Sequence, residues 1–350
     1  MDSVSQLVLG ASLAHVTLGE RLGRKALYVG AALGTLPDLD VLVPYADAVE
    51  SFTYHRGWSH SLIVLSVASL PIAYGLKRLF TSYDLSYKHW LFAVWLVLFT
   101  HPLLDAFTTY GTQLFWPFSP PPAAWGSVFI IDPLFTVPLI IGLVFAWRKP
   151  FARSQRIVSA TLALSCTYLA WTLIAQHNVH QKLQDTLAQN GIDATQTLVA
   201  PFPLSLVWRT VAVTDEHYYE GFSSLLDSAN TIRLSKYDNG KKPCSALLDS
   251  WPVERLDWFT RGVYALSVEQ DELIASDLRI GIEGSYIFRF AIAQQVDSDW
   301  QLIESRQLPV SVDGARMSML IKRAVDESVE LTQLTSKSVS CEPVPAKTQT

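Results

Sequence analysis

Hydrophobic positions form long uninterrupted blocks in the first half of the chain and alternate with polar positions at short period in the second half. Four blocks have the apolar character and the length, about 20 residues, that a helix needs to cross the hydrocarbon core of a bilayer. They cover residues 61–76, 89–108, 128–147 and 157–176. A fifth block, 26–43, is shorter and is interrupted by Pro37. The pattern predicts an α-helical membrane bundle of about four to five helices within residues 1–176.

Beyond residue 200 the pattern is typical of β-strands. Segments such as L204-S-L-V-W-R-T-V-A-V-T214 mix β-branched and aromatic residues with polar ones, and turn sequences such as D238-N-G-K241 bound them. We therefore predict a linker over 177–199 and a small β-rich soluble domain over 200–312. Residues 313–350 are predicted to form a helical stretch followed by a disordered tail.

The distribution of Lys and Arg predicts how the chain is oriented in the membrane. The loops 77–88 and 148–156 contain seven Lys and Arg residues, whereas the segment 109–127 contains none. By the positive-inside rule the two basic loops are cytoplasmic, which places everything after residue 176 outside. We expect a multi-pass protein of the bacterial cytoplasmic (inner) membrane with an extracytoplasmic C-terminal domain. The polar second half has no basic patch and is acidic, with 16 Lys and Arg against 23 Asp and Glu in residues 177–350, which excludes nucleic acid as a partner.

With this orientation, the acidic residues and histidines of the membrane half fall on the outer side. These residues are Asp38, Asp40, His55, His60, His101, Asp105 and Asp132. His101 and Asp105 are four residues apart, so their side chains share one face of a helix. Imidazole and carboxylate together form the ligand set of zinc, manganese and iron. We expect a divalent metal ion, zinc first, with manganese and iron as alternatives.

Some of these residues allow two roles. Asp38 and Asp40 follow Pro37, which favours extended backbone, so one carboxylate could bind or bridge metal while the other orients a histidine. Asp132 precedes a proline and is equally a metal ligand or a helix cap. The planar guanidinium of Arg56 suits a phosphate or carboxylate, so we expect Arg56 and Asp40 to act in catalysis.

Three cysteines and His15 lie apart from these residues in the sequence. Cys244 and Cys341 could pair if their domain faces an oxidising compartment, and Cys166 lies in an apolar run typical of a small core residue. His15 is followed by three basic residues, which suggests the inner side of the membrane, away from the other histidines.

The motifs resemble a known family, the bacterial YdjM-like family of predicted inner-membrane metal-dependent hydrolases. The residues that carry the resemblance are A14-H15-V-T-L-G19, L36-P-D-L-D40, H55-R-G-W-S-H60-S61, T100-H-P-L-L-D-A-F-T-T-Y-G111 and W116-P-F-S119. The resemblance implies a metal site carried by His15, Asp38, Asp40, His55, His60, His101 and Asp105. It therefore implies that His15 belongs to the site, against its expected depth.

The leading hypothesis is a metal-dependent hydrolase that acts on a phosphoester or ester of a lipid-like substrate, with membrane lipid as its environment. A second hypothesis is a metal-binding membrane protein without catalysis, a sensor or assembly factor whose outer domain recruits an unidentified protein. It rests on the absence of an obvious nucleophile or separate general base. Transport is a third hypothesis, although the polar groups lie near one leaflet and no pair of broken helices occurs in matching halves.

Overall fold

The computed structural model describes residues 1–297, 299–310, 314–329, 331 and 341. The chain divides into two compact units. Unit 1 comprises Met1–Val43, Tyr54–Ile174 and Pro203–Ser205, and unit 2 comprises Pro44–Thr53, Ala175–Phe202 and Leu206–Thr350.

Helices build unit 1. In chain order they are α1 (Ser3–Leu22), α2 (Lys25–Thr35), α4 (Leu62–Leu79), α5 (Tyr87–Ala106), α6 (Pro133–Arg148) and the first part of α7 (Phe151–Gln189). Among the described residues, α4, α5 and α7 are long and apolar enough to cross a membrane, and α6 is a shorter apolar helix of 16 residues. The prediction of a helical membrane half is confirmed in this form. The block predicted over 128–147 begins as a helix only at Pro133, and the block over 26–43 divides into α2 and a 3-10 helix, Pro37–Leu42.

Polar side chains fix where three of these helices begin. The hydroxyl of Ser61 accepts a hydrogen bond from the Val64 amide at the start of α4, and Ser86 does the same for α5. Asp132 accepts from the Leu134 amide at the start of α6, where Pro133 occupies the first turn. Each cap satisfies a backbone N–H that has no partner within its own helix.

Small residues bring α1 and α2 close together. A Cβ atom built on Gly30 would lie 2.2 Å from the carbonyl oxygen of Gly10 and 2.5 Å from the Cβ of Ala14. A Cβ on Gly34 would lie 2.5 Å from the carbonyl oxygen of Gln6. The two backbones pack at a distance that only glycine permits, as is common where helices associate in membranes.

Unit 2 contains two four-stranded antiparallel sheets, as the short-period pattern predicts. The first has the strand order β1-β2-β3-β4 and consists of Gln196–Pro201, Val207–Val213, His217–Ser224 and Leu234–Asp238. The second has the order β10-β9-β6-β5 and consists of Asp299–Gln307, Arg289–Val296, Glu272–Asp277 and Tyr264–Glu269. A two-stranded pair, β7 (Gly281–Ile282) and β8 (Ser285–Tyr286), and helices α8 (Trp251–Thr260) and α9 (Gly314–Arg323) complete the unit.

An early piece of the chain also belongs to unit 2. The short helix α3 (Ala48–Tyr54) carries Phe52, whose ring contacts the rings of Phe259 and Phe290 at centroid distances of 4.9 Å and 5.2 Å. The amide of Val49 donates to the hydroxyl of Ser305 at 2.8 Å. Residues 44–53 therefore belong to the β-rich unit, and Val49 and Phe52 are buried in it.

The predicted linker differs from the structure. The interval 177–199, expected to be a linker, continues α7 as far as Gln189, and β1 begins at Gln196. Of the predicted C-terminal helix, α9 covers Gly314–Arg323, and the predicted disordered tail falls almost entirely outside the described residues. Within it, Cys341 forms a disulfide with Cys244.

Candidate metal centre

Four side chains of unit 1 meet where α5 ends and α4 begins. His101 and Asp105 lie one turn apart on α5, as their spacing predicts. Asp38 lies in the first turn of the 3-10 helix Pro37–Leu42, and His60 ends a second 3-10 helix, Trp58–His60, immediately before α4. Each of the four residues offers one potential ligand atom, and these four atoms all lie within 4.8 Å of one another, so they could hold a metal ion. We call Asp38, His60, His101 and Asp105 the metal group.

The distances among these atoms suit a small ion. His60 Nε2 lies 3.1 Å from His101 Nε2, 3.1 Å from Asp105 Oδ2 and 3.4 Å from Asp38 Oδ1. His101 Nε2 lies 3.4 Å from Asp38 Oδ1 and 3.6 Å from Asp105 Oδ2. Ligands at zinc-like bond lengths on a tetrahedron are about 3.3–3.4 Å apart, so these five separations match a tetrahedral set.

Hydrogen bonds on the far side of each imidazole determine which nitrogen carries the proton. His101 Nδ1 lies 2.7 Å from the carbonyl oxygen of Gly34, which can only accept, so Nδ1 donates and Nε2 keeps its lone pair. Ser59 Oγ donates to Asp40 Oδ2 at 2.6 Å and must therefore accept from His60 Nδ1 at 2.9 Å. His60 Nε2 is thus also an unprotonated acceptor.

With both imidazoles neutral, as metal binding requires, lone pairs converge with no proton between them. Asp105 Oδ2 is buried and has no hydrogen-bond partner among the described residues, although two imidazole nitrogens lie close to it. Buried acceptors that face one another are costly, even with the guanidinium of Arg56 3.4 Å from Asp105 Oδ2. A bound cation removes this cost, so the residues present fit a divalent metal ion.

Asp40 lies behind the group and organises the loop that carries His60. Its carboxylate accepts from His55 Nδ1 at 2.9 Å and from the Arg56 amide at 2.9 Å, as well as from Ser59. Burial alone would raise the pKa of Asp40, but the hydrogen bond and charge of His55, with His60 and Ser59, outweigh it and lower the pKa to about 2. Of the two carboxylates after Pro37, Asp38 joins the candidate ligands, whereas Asp40 orients histidines.

Arg56 faces the metal group and not the solvent. It is 4% exposed, and its guanidinium lies over the ring of Tyr110, 5.1 Å from the centroid. Arg56 Nε lies 3.4 Å from Asp105 Oδ2, and a terminal nitrogen donates to Thr108 Oγ1 at 3.4 Å. The residue adopts a positive φ of 59°, a conformation rarely taken without glycine. This placement differs from the expected contact with a substrate anion, because the guanidinium already faces a carboxylate of the protein.

The structure does not bring His15 or Asp132 to the group. Gln6 of α1 donates to Asp105 Oδ1, but His15 lies nine residues further along the same helix, about 14 Å away at 1.5 Å per residue. His15 Nε2 instead lies 3.0 Å from Ser154 Oγ. Asp132 caps α6 and accepts from the hydroxyl of Tyr168 at 2.8 Å, which is the cap alternative left open by the sequence.

Sequence reasoning missed the groups that orient the histidines. Ser59 lies beside His60 in the H55-R-G-W-S-H60 motif, and this adjacency was the one available signal. The carbonyl of Gly34 has no signal in the sequence, because any residue has a carbonyl and only the fold places this one against His101.

Comparison with known proteins gives a family match over the half of the chain that carries the group. The model of the YdjM inner membrane protein family matches residues 1–179. The uncharacterized protein YfhP of Bacillus subtilis (strain 168) is 24% identical over 250 residues, which cover 68% of this chain and 74% of that protein. No solved structure matches the chain.

Proposed function

Since this chain belongs to the YdjM inner membrane protein family, we propose that it is a membrane-bound metal-dependent hydrolase. Its substrate is a lipid-like ester or phosphoester at the outer face of the cytoplasmic membrane. The observation that carries the proposal is the convergence of four potential metal-ligand atoms, from Asp38, His60, His101 and Asp105, of which Asp38 alone is not fully buried. A metal group that is closed by protein on most sides and open at one ligand is suited to admit a substrate.

His60, His101, Asp38 and Asp105 would hold the ion. When bound, it would activate a water molecule for attack and polarise the ester or phosphoryl oxygen. Arg56 holds the carboxylate of Asp105 in place, and Asp40 holds His60 through Ser59. These residues preorganise the ligands, so that little rearrangement is needed during the reaction.

Two observations support an extracytoplasmic position for the site and for unit 2. The basic residues of the segments 77–88 and 148–156 lie at the end of α4, at the start of α5, at the end of α6 and at the start of α7, whereas His60 and Asp105 lie at the opposite ends of α4 and α5. A disulfide such as Cys244–Cys341 persists in oxidising compartments and is rare in the bacterial cytoplasm.

The test is a comparison of three purified full-length proteins in detergent: the wild type, His60→Ala and His89→Ala. His89 is exposed and lies outside the metal group, so the second variant controls for loss of any histidine. We expect the wild type and His89→Ala to retain a transition metal and to release product from a bacterial lipid extract. His60→Ala should lose both, and a chelator should abolish turnover by the wild type. Metal-free wild-type protein, or turnover by His60→Ala equal to that of the wild type, contradicts the proposal.

A second candidate function is metal binding without catalysis, in a sensor or assembly factor that recruits a protein through unit 2. It is favoured by the number of candidate ligands, because four protein ligands complete a tetrahedral shell, as in structural zinc sites. X-ray absorption of the zinc-loaded protein separates the two candidates. A shell with an exchangeable water oxygen supports the hydrolase, whereas four protein ligands without turnover support the second candidate.

A further inference from the structure

The 3-10 helix Pro37–Leu42 presents two opposite kinds of surface. Asp40 is 4% exposed, and the side chain of Asp38 is 18% exposed. Three apolar side chains of the same segment point outward: Leu39 is 53%, Val41 72% and Leu42 76% exposed. The one segment therefore offers carboxylates to the metal group and aliphatic side chains to its surroundings.

Exposed apolar residues also occur on two elements that follow in this part of the chain. The 3-10 helix contacts the second 3-10 helix, Trp58–His60, in which Trp58 is also exposed. This second helix leads directly into α4, a candidate membrane span whose Ile63 and Val67 are exposed. Exposed apolar residues concentrated in neighbouring elements often belong to a binding surface, and tryptophan is enriched where a protein meets the bilayer interface.

We propose that the exposed face of Leu39, Val41 and Leu42 inserts into the interface of the outer leaflet, and that substrate reaches Asp38 sideways from that leaflet. The inference rests on the proposed function and specifies its substrate as a membrane lipid with acyl chains and an ester or phosphoester headgroup. The acyl chains remain among the aliphatic side chains while the headgroup reaches the only ligand of the group that is open to solvent. Insertion of a few aliphatic residues beside a tryptophan is sufficient for interfacial contact.

The first experiment measures insertion and does not depend on activity. Leu42→Cys in full-length protein that also carries Cys166→Ser is labelled with an environment-sensitive fluorophore, without reductant, so that the Cys244–Cys341 disulfide stays closed. The matched control is Leu226→Cys, because Leu226 is also exposed, at 64%, but belongs to unit 2. Both are reconstituted into phosphatidylethanolamine and phosphatidylglycerol vesicles with or without spin-labelled lipid.

We expect spin-labelled lipid to quench the label at Leu42 several times more strongly than the label at Leu226, and aqueous iodide to show the reverse order. Equal quenching by lipid at the two positions overturns the proposal. Protection of Leu42 from both quenchers also overturns it, since a second copy of the chain or a partner protein would then cover the face.

The second experiment measures delivery of substrate. Val41→Ser/Leu42→Ser is compared with Leu226→Ser for turnover of a lipid ester in vesicles and of a water-soluble short-chain ester. We expect the ratio of vesicle turnover to soluble turnover to fall at least about fivefold in the first variant and to keep its wild-type value in the second. An unchanged ratio contradicts delivery from the leaflet. If wild-type protein hydrolyses neither ester, the proposed function fails, while the quenching experiment still decides whether the face inserts.

Discussion

Ser59→Ala should weaken metal binding without unfolding the protein. The hydroxyl of Ser59 accepts from His60 Nδ1 at 2.9 Å and donates to Asp40 Oδ2 at 2.6 Å, so alanine leaves the imidazole N–H without its acceptor. Asp40 Oδ2 itself is 3.6 Å from His60 Nδ1, too far to replace the hydroxyl without movement of the ring. Loss of a group that orients a metal-binding histidine typically reduces affinity about 10–100-fold, or about 1.4–2.7 kcal/mol.

The assay is a competition titration of zinc against a chromophoric chelator, with the d–d absorption of cobalt-substituted protein as a measure of ligand geometry. Ser69→Ala is the matched control, because Ser69 is another buried serine of unit 1 whose hydroxyl donates to the carbonyl of Ser66, away from the metal group. We expect Ser69→Ala to bind zinc like the wild type, and Ser59→Thr to recover much of the affinity lost in Ser59→Ala. Wild-type affinity in Ser59→Ala, with His60→Ala defective, would refute the assignment of the His60 proton to Nδ1.

Three further predictions concern the fold and its orientation. Gly30→Leu should prevent close packing of α1 and α2 and lower the thermal unfolding midpoint. The control, Gly75→Ala, has nothing within 4 Å of its added Cβ and should leave the midpoint unchanged or raise it. Equal midpoints in the two variants contradict the packing argument. Cys341→Ser should lower the free energy of unfolding by about 2–5 kcal/mol, measured by denaturant titration without reductant, and reductant should lower the wild type to the same value. Lys236→Cys should react with a membrane-impermeant maleimide in intact spheroplasts and Lys149→Cys only after lysis; the opposite order would place unit 2 inside.

The features that the sequence predicts best are those set by local pattern. His101 and Asp105 lie on one helix face because of their spacing, and Asp132 takes the cap role that its position before Pro133 allowed. The meeting of His60 with His101 was expected from the side of the membrane on which each falls and from the family resemblance, and the structure brings the two together.

Other features depend on long-range packing that no local pattern records. The segment 44–53 reads as a connecting loop between two groups of candidate ligands, yet Phe52 packs into the aromatic core of unit 2. His15 was expected to be a metal ligand only because of the family resemblance. In the structure His15 is nine residues beyond Gln6 on α1, so the helix places it far from Asp105, which Gln6 contacts. Arg56 was assigned to substrate because a guanidinium suits an anion, and the anion it meets is Asp105.

The inclusion of residues 44–53 in unit 2 has a consequence for biogenesis. Thr53 accepts a hydrogen bond from Arg255, 202 residues later in the chain. The ring partners of Phe52, Phe259 and Phe290, are synthesised after Arg255. At ribosomal rates of about 5–20 residues per second, these partners emerge on the order of ten seconds or more after Phe52. In the later part of that interval every candidate metal ligand, as far as Asp105, has been synthesised, while the helix immediately before His55 remains unpacked. A nascent chain arrested before residue 255 should therefore expose α3 to chaperones and proteases even when its membrane helices have been inserted.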